Sequence, residues 1–198
     1  MAGGRQREFC KLEALEKAML VFWKKGFIGA SLTDLTKSMG INKPSIYAAF
    51  GNKEQLFIQA TEHYLENHAS KHTQFLYAEN LSLKKRLKAY LMSALASQCN
   101  ETGPKGCYIS LSVTESASGG LPLDAYNTIV KTKEQVEELL TDFFIDEQNK
   151  NNLSKKDKPN ELARYIVTVL HGLAAMARGN KSISELEPVV DLTLIKFD

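Results

Sequence analysis

No stretch of this 198-residue chain is apolar for long enough to cross a membrane. Its first ten residues, MAGGRQREFC, lack the apolar core of a secretion signal. Ala2, not glycine, follows the initiator methionine, which excludes N-myristoylation. A soluble, cytoplasmic protein with no membrane partner is expected. Cysteine is scarce: Cys10, Cys99 and Cys107 form no CxxC and no cluster with histidine, so no disulfide framework is expected. Cys99 and Cys107 flank a short loop, which leaves a redox switch conceivable; the plainer reading is three small apolar residues. Also missing are a Walker motif, GxSxG, HExxH and a dinucleotide fingerprint. No catalytic residue and no cofactor is therefore assigned, and an enzyme is not expected. There is no internal repeat and no low-complexity tract.

What the chain does have is a segment of closely spaced helix signals, Ser31 to Phe57. Ser31 can cap a helix, with Asp34 closing a capping box. Leu32, Leu35 and Met39 fall on one face of that helix. Gly40 stops it, because glycine takes the left-handed turn without steric cost. Ile41 plugs the angle that follows. Asn42 caps a second short helix, with Pro44 in its first turn, where a missing N–H costs nothing. Ile46 and Phe50 point inward, and Lys43, Ser45, Tyr47 and Ala48 stay exposed. Gly51 ends this helix, and Asn52 with Gln55 opens the next. Two capped helices across a tight turn, with a supporting helix, make a helix-turn-helix that lays its second helix in a DNA major groove. Lysine meets phosphate or guanine there, and hydroxyls meet phosphate or base edges. Lys53, at a helix N-terminus, can hold a phosphate together with the free N–H groups.

Charge is distributed to match. The formal net charge is +2, yet residues 1–53 hold nine Lys and Arg against four Asp and Glu. Residues 54–198 hold sixteen against nineteen. A basic head on an acidic body suits double-stranded DNA as a partner. Arg5 and Arg7 can reach a minor groove or form a solvated tail.

The residues Gly26-Phe27, Ser31 to Thr36, Gly40-Ile41, Ile46-Tyr47-Ala48-Ala49-Phe50 and Lys53-Glu54-Gln55-Leu56 resemble the N-terminal domain of the tetracycline-repressor (TetR) family of bacterial regulators. The likeness runs from about Phe9 to Phe57. Leu35-Thr36 and Ala49 depart from the commonest residues and are conservative for packing. The resemblance implies DNA contacts from Thr33, Lys43, Ser45, Tyr47 and Lys53; Ser31, Asn42 and Pro44 complete the candidate DNA-binding set. It also implies a C-terminal domain with a pocket, in which a small effector moves the two heads of a homodimer apart and releases the operator.

The rest of the chain reads as helical throughout, over residues 8–25, 53–75, 84–99, 107–117, 123–148, 160–177 and 184–196. Residues 149–159 read as a solvated, lysine-rich loop. The expected fold class is all-α, with residues 1–52 as the helix-turn-helix domain and residues 53–198 as the ligand-binding and dimerisation domain. Aromatic and apolar walls suit a small, largely apolar ligand, with Tyr64, His68, Tyr90, Cys107, Tyr108, Leu111, Tyr126 and Val130 as candidate lining. The last two helices are apolar over too wide an arc for one buried face. A twofold, four-helix interface through Leu162, Ile166, Val169, Leu173, Ala177, Val189, Val190 and Leu194 accounts for that. His68 and His72 are four apart, with His63 nearby, but no cysteine or carboxylate neighbour completes a site, so no metal is expected. Control by a partner protein, a metal or a redox change stands as the alternative to an organic effector.

Overall fold

The computed structural model describes residues 10–197. Arg5, Arg7 and Phe9 lie outside the described residues. All regular structure among the described residues is helical. Helix α1 (Lys11–Gly29) buries Ala14, Leu15, Ala18, Met19, Phe22 and Trp23 along one stripe. Its helical dihedrals break at Gly26, φ 72°, where a side chain would meet the carboxylate of Glu115. Helices α2 (Leu32–Met39), α3 (Lys43–Phe50) and α4 (Lys53–Tyr64) follow at once. The helical path then widens into a π turn (Leu65–Ala69), resumes as α5 (Ser70–Thr73) and tightens to a 3-10 turn (Gln74–Tyr77). Helices α6 (Leu83–Gln98), α7 (Tyr108–Ser116), α8 (Leu123–Asn149), α9 (Pro159–Arg178) and α10 (Ile183–Leu194) complete the fold.

Two apolar cores result. The first joins α1 to α4, with Leu35, Met39, Ile46, Phe50, Leu56 and Phe57 buried, and continues into α7 and the start of α8 through Tyr108, Ile109, Ala125 and Ile129. The Phe57 ring is central: it meets Phe22 edge-on at 5.2 Å and stacks on Tyr108 at 5.9 Å. The second core gathers Leu87, Leu91 and Leu95 of α6, Leu140, Phe143 and Phe144 of α8, and the inner faces of α9 and α10. Helix α8 is long enough to serve both. A buried ion pair ties the second core together. Nη1 and Nη2 of Arg86 donate to the Glu147 carboxylate, and Nη1 also donates to the Leu76 carbonyl at 2.9 Å.

The wide apolar arcs of α9 and α10 divide in two. Leu162, Ile166, Leu173, Ala177, Val190 and Leu194 pack inward within their own chain. Val169 is half-buried against the same core. Of the eight residues expected at a subunit interface, only Val189 is exposed. The correction has a plain cause: the bulkier side of each helix is needed to close the second core. The outer side is a different stripe, Tyr165 and Met176 on α9 with Val189, Leu192 and Ile195 on α10. Pro188 lies inside α10 on an exposed turn, where water can satisfy the carbonyl that its missing N–H leaves free. The loop after α8 is braced as well as solvated: Gln148 Nε2 donates to the carbonyls of Ser154 and Asp157.

Candidate functional site

The α2–α3 unit is built from its caps. Ser31 Oγ accepts from Asp34 N at 3.0 Å, and Asp34 Oδ2 accepts from Ser31 N at 3.0 Å. The hydrogen bond and charge of Lys25, with the bonds from Ser31, hold the Asp34 carboxyl well below the usual carboxylate range. Gly40 ends α2 at φ 71°. Asn42 Oδ1 accepts from Ser45 N at 2.9 Å, and Pro44 sits in the first turn of α3. The side chains of Ser31 and Asn42 are thus committed to caps. Thr33, Lys43, Pro44 and Tyr47 are exposed, and Ser45 is half-buried. Lys43 Nζ lies 5.6 Å from the centre of the Tyr47 ring, so a cation and an aromatic hydroxyl share one outward face. Lys53 is less free. Its Nζ lies 4.4 Å over the Phe27 ring, and burial pushes its pKa down.

A cavity of about 320 Å³ lies between the end of α4, the π turn, α6, α7, α8 and α9. Its walls are mostly apolar, from Leu65, Ala69, Ala94, Val136, Leu139, Val167 and Leu170. Tyr64, Tyr90 and Cys107 line it. The other five candidates do not. Tyr108 is sealed in the first core, with its hydroxyl on Thr61 Oγ1 at 3.0 Å. His68 turns toward Glu16 and Trp23 of α1, with its ring stacked on Tyr64 of α4. Tyr126 is exposed, and Leu111 and Val130 are half-buried outside the cavity lining. In their place stand polar residues that periodicity did not single out: His72, Gln98, Ser110, Thr132 and His171. Burial pushes both His72 and His171 down, which favours the neutral imidazole in each. His72 Nδ1 is 2.8 Å from Ser93 Oγ. The Gln98 side-chain oxygen is buried at the cavity wall with no hydrogen-bond partner. A buried unmatched acceptor costs about 1–3 kcal/mol.

Six hydrogen bonds tie the helix-turn-helix head to the helices around this cavity. Trp23 Nε1 donates to the Gly106 carbonyl at 3.2 Å, and Arg178 Nη2 donates to the Trp23 carbonyl at 3.0 Å. The Glu115 carboxylate accepts from Phe27 N and Ile28 N, across the break at Gly26. Glu54 Oε1 accepts from Asp124 N and Ala125 N, capping α8 from α4.

Comparison with known proteins agrees with this geometry. Residues 14–60 match the bacterial regulatory proteins of the tetR family. The HTH-type transcriptional repressor ComR of Escherichia coli (strain K12) is 30% identical over 192 residues, 96% of this chain and 90% of that protein. The structure of a cysteine mutant of CifR, a TetR family transcriptional regulator complexed with a 26-base-pair operator, superposes with a TM-score of 0.86 at 30% identity, covering 98% of this chain and 100% of the other. The chain belongs to the TetR family of transcriptional regulators. BdcR of the same E. coli strain, also an HTH-type transcriptional repressor, is 28% identical over 183 residues, 92% of this chain and 86% of that protein. As a TetR-family member the chain is a DNA-binding regulator and not an enzyme. Among the described residues no helix is long and apolar enough to cross a membrane.

The structure also corrects the reading of the histidines in this TetR-family chain. His68 and His72 do not share a site: His68 lies in the π turn and faces Glu16 of α1, whereas His72 lies in α5 and faces Ser93 of α6. A carboxylate does join the histidines: Glu16 of α1 lies 2.6 Å from His63 Nε2 and 3.2 Å from His68 Nε2. Its 47-residue distance from His63 in sequence hid it from any local motif.

Proposed function

We propose that this TetR-family regulator is a homodimeric repressor released from its operator by a small, largely apolar ligand that carries one hydrogen-bond donor. Residues 1–52 are the reading unit in this proposal and residues 53–198 the sensing and pairing unit. The observation that carries it is Gln98: an acceptor without a partner, in the wall of an otherwise apolar cavity of about 320 Å³. A hydroxyl or N–H on the ligand satisfies that oxygen, and the apolar body fills the space along α8 and α9.

Occupation reaches the head by a short route. Tyr64 lines the cavity from the end of α4, the helix that carries Leu56 and Phe57 into the head's core. Cys107 lines it next to Gly106, whose carbonyl holds Trp23. Only a ligand that prefers the DNA-incompetent arrangement shifts the population, and only by that difference. Pairing uses the outer stripe of Tyr165, Met176, Val189, Leu192 and Ile195, and twofold symmetry brings the two heads to two half-sites.

The test is fluorescence anisotropy of operator-bound protein titrated with small apolar alcohols and phenols, and with hydrocarbons of the same shape. Donor-bearing compounds should release the DNA, and Gln98→Leu should blunt that response about 5- to 10-fold. Equal response in the variant would remove Gln98 from the proposal. Leu192→Glu should convert the dimer to monomer in sedimentation, and an unchanged dimer would reject the outer stripe. A redox reading has one favourable observation, Cys107 at the cavity wall with Sγ 3.5 Å from the Tyr64 hydroxyl. It predicts release by mild oxidant that Cys107→Ser abolishes.

A further inference from the structure

Glu16, His63 and His68 meet at the joint between the DNA-reading head and the sensing helices, outside both the recognition surface and the cavity. Each offers one ligating atom, and these three atoms lie within 4.8 Å of one another. Two features of the backbone bring them together. Glu16 projects from α1 onto the end of α4. His63 and His68 are five residues apart, which on an α-helix would set them about 140° apart around the axis. The π turn over Leu65–Ala69, closed by the bond from Ser70 N to the Leu65 carbonyl, makes i and i+5 near neighbours on one face instead.

We infer that this triad is a binding site for a divalent transition-metal ion of the zinc class. Two imidazoles and one carboxylate are a borderline donor set, suited to zinc and its neighbours over calcium or magnesium. A tetrahedral ion with ligands at ~2.0–2.1 Å holds its donor atoms ~3.3 Å apart. His68 Nε2 is already 3.3 Å from Glu16 Oε2, and His63 Nε2, 2.6 Å from the same oxygen, needs to open by under an ångström. Three protein ligands leave a fourth position for water. The surroundings orient the rings. Asn67 Nδ2 lies 3.2 Å from His63 Nδ1, and a turn of that amide lets Oδ1 accept from Nδ1–H when Nε2 ligates. The His68 ring is held flat against Tyr64, at 5.6 Å and 5°, with the edge of Trp23 5.9 Å away. The glutamate is half-exposed and both histidines are part-buried, so an ion has a path in from solvent. An ion there pins α1 to the π turn, the point where the head's last helix passes into the sensing region.

The probe is Zn2+ alone, titrated into the full-length protein by calorimetry, with Co2+ as a visible-absorption reporter. Trp23 is the chain's one tryptophan, and its fluorescence should be quenched by Co2+ at the same equivalence point. The expected result is one ion per chain, with a Co2+ spectrum of a four-coordinate nitrogen and oxygen site. His68→Gln and Glu16→Gln should each weaken binding by roughly 100-fold. Absence of stoichiometric Zn2+ binding would overturn the assignment, as would binding that both variants retain. Should a variant fold poorly by circular dichroism, the wild-type Co2+ spectrum and the Trp23 quenching decide: a weak, six-coordinate spectrum without quenching rejects the site. None of these readouts depends on the organic ligand or on the operator.

Discussion

The two cores of this molecule are held by different means. The head is a set of short helices whose ends are fixed by their own neighbours: Ser31 with Asp34, Asn42 with Ser45, Asn52 with Gln55. The C-terminal region has longer helices with fewer local ties, and depends on one buried ion pair, Arg86 with Glu147, to fix α6, the 3-10 turn and α8. The head's geometry is therefore set mostly by contacts within three or four residues. The C-terminal region can keep a cavity in its middle because its distant ends are locked. Between them stand a shared apolar seam and a handful of directed hydrogen bonds around Trp23, Glu115 and Glu54. Directed bonds break over short displacements, so a small shift at the cavity wall can be felt at α1.

The largest expected effect comes from unlocking the C-terminal region. Arg86→Ala strands the Glu147 carboxylate in the second core and should cost about 3–5 kcal/mol in urea unfolding. If the cores are one cooperative unit, Trp23 fluorescence and far-UV circular dichroism shift together; a fluorescence midpoint that stays in place would separate the head from the body. The pH dependence carries a sign. Burial raises the Glu147 carboxyl, but the bonds from Arg86 and Asn152 and nearby charge outweigh it and hold the group below its ordinary 4.5. A depressed folded-state pKa gives stability that is present above the unfolded value and lost as pH falls through the folded one. Wild type should weaken on acidification below about pH 4.5. Arg86→Ala should instead gain as pH falls toward that value, because protonation neutralises the orphan. The same acid loss in both proteins would contradict the role of the pair.

Next in size, Gly40→Val tests the head's own construction. The space around that Cβ is open, so only the left-handed φ of 71° opposes the change, at about 1–3 kcal/mol. An unchanged melting temperature would mean that the α2–α3 turn relaxes freely. Tyr47→Ala is expected to lower operator affinity by about 1–2 kcal/mol, roughly tenfold, with no shift in melting, because its ring is exposed. Undiminished binding would remove Tyr47 from the reading face. The smallest effect is Lys43→Gln, which should weaken binding evenly across sequences and reduce the slope of log affinity against log salt by about 1. A change in sequence preference instead would make Lys43 a reader of bases.

The sequence by itself determined the helices, the caps and the α2–α3 unit. Each of those depends on residues within three or four positions, where spacing and side-chain chemistry are visible without a fold. It also showed that α9 and α10 are apolar on more than one side. The tertiary structure alone decided which face serves the chain itself, since a helix that is apolar on two sides carries no mark of which neighbour takes which. It decided the cavity, whose wall joins residues from the π turn to α9, and so placed Gln98, His72 and His171 there while turning Tyr108 and His68 away. It decided the Glu16, His63 and His68 cluster, because a π turn has no signal in residue spacing and Glu16 arrives from another helix. Local hydrogen bonds and periodicity are properties of a segment; a site assembled from six helices is a property of how they pack.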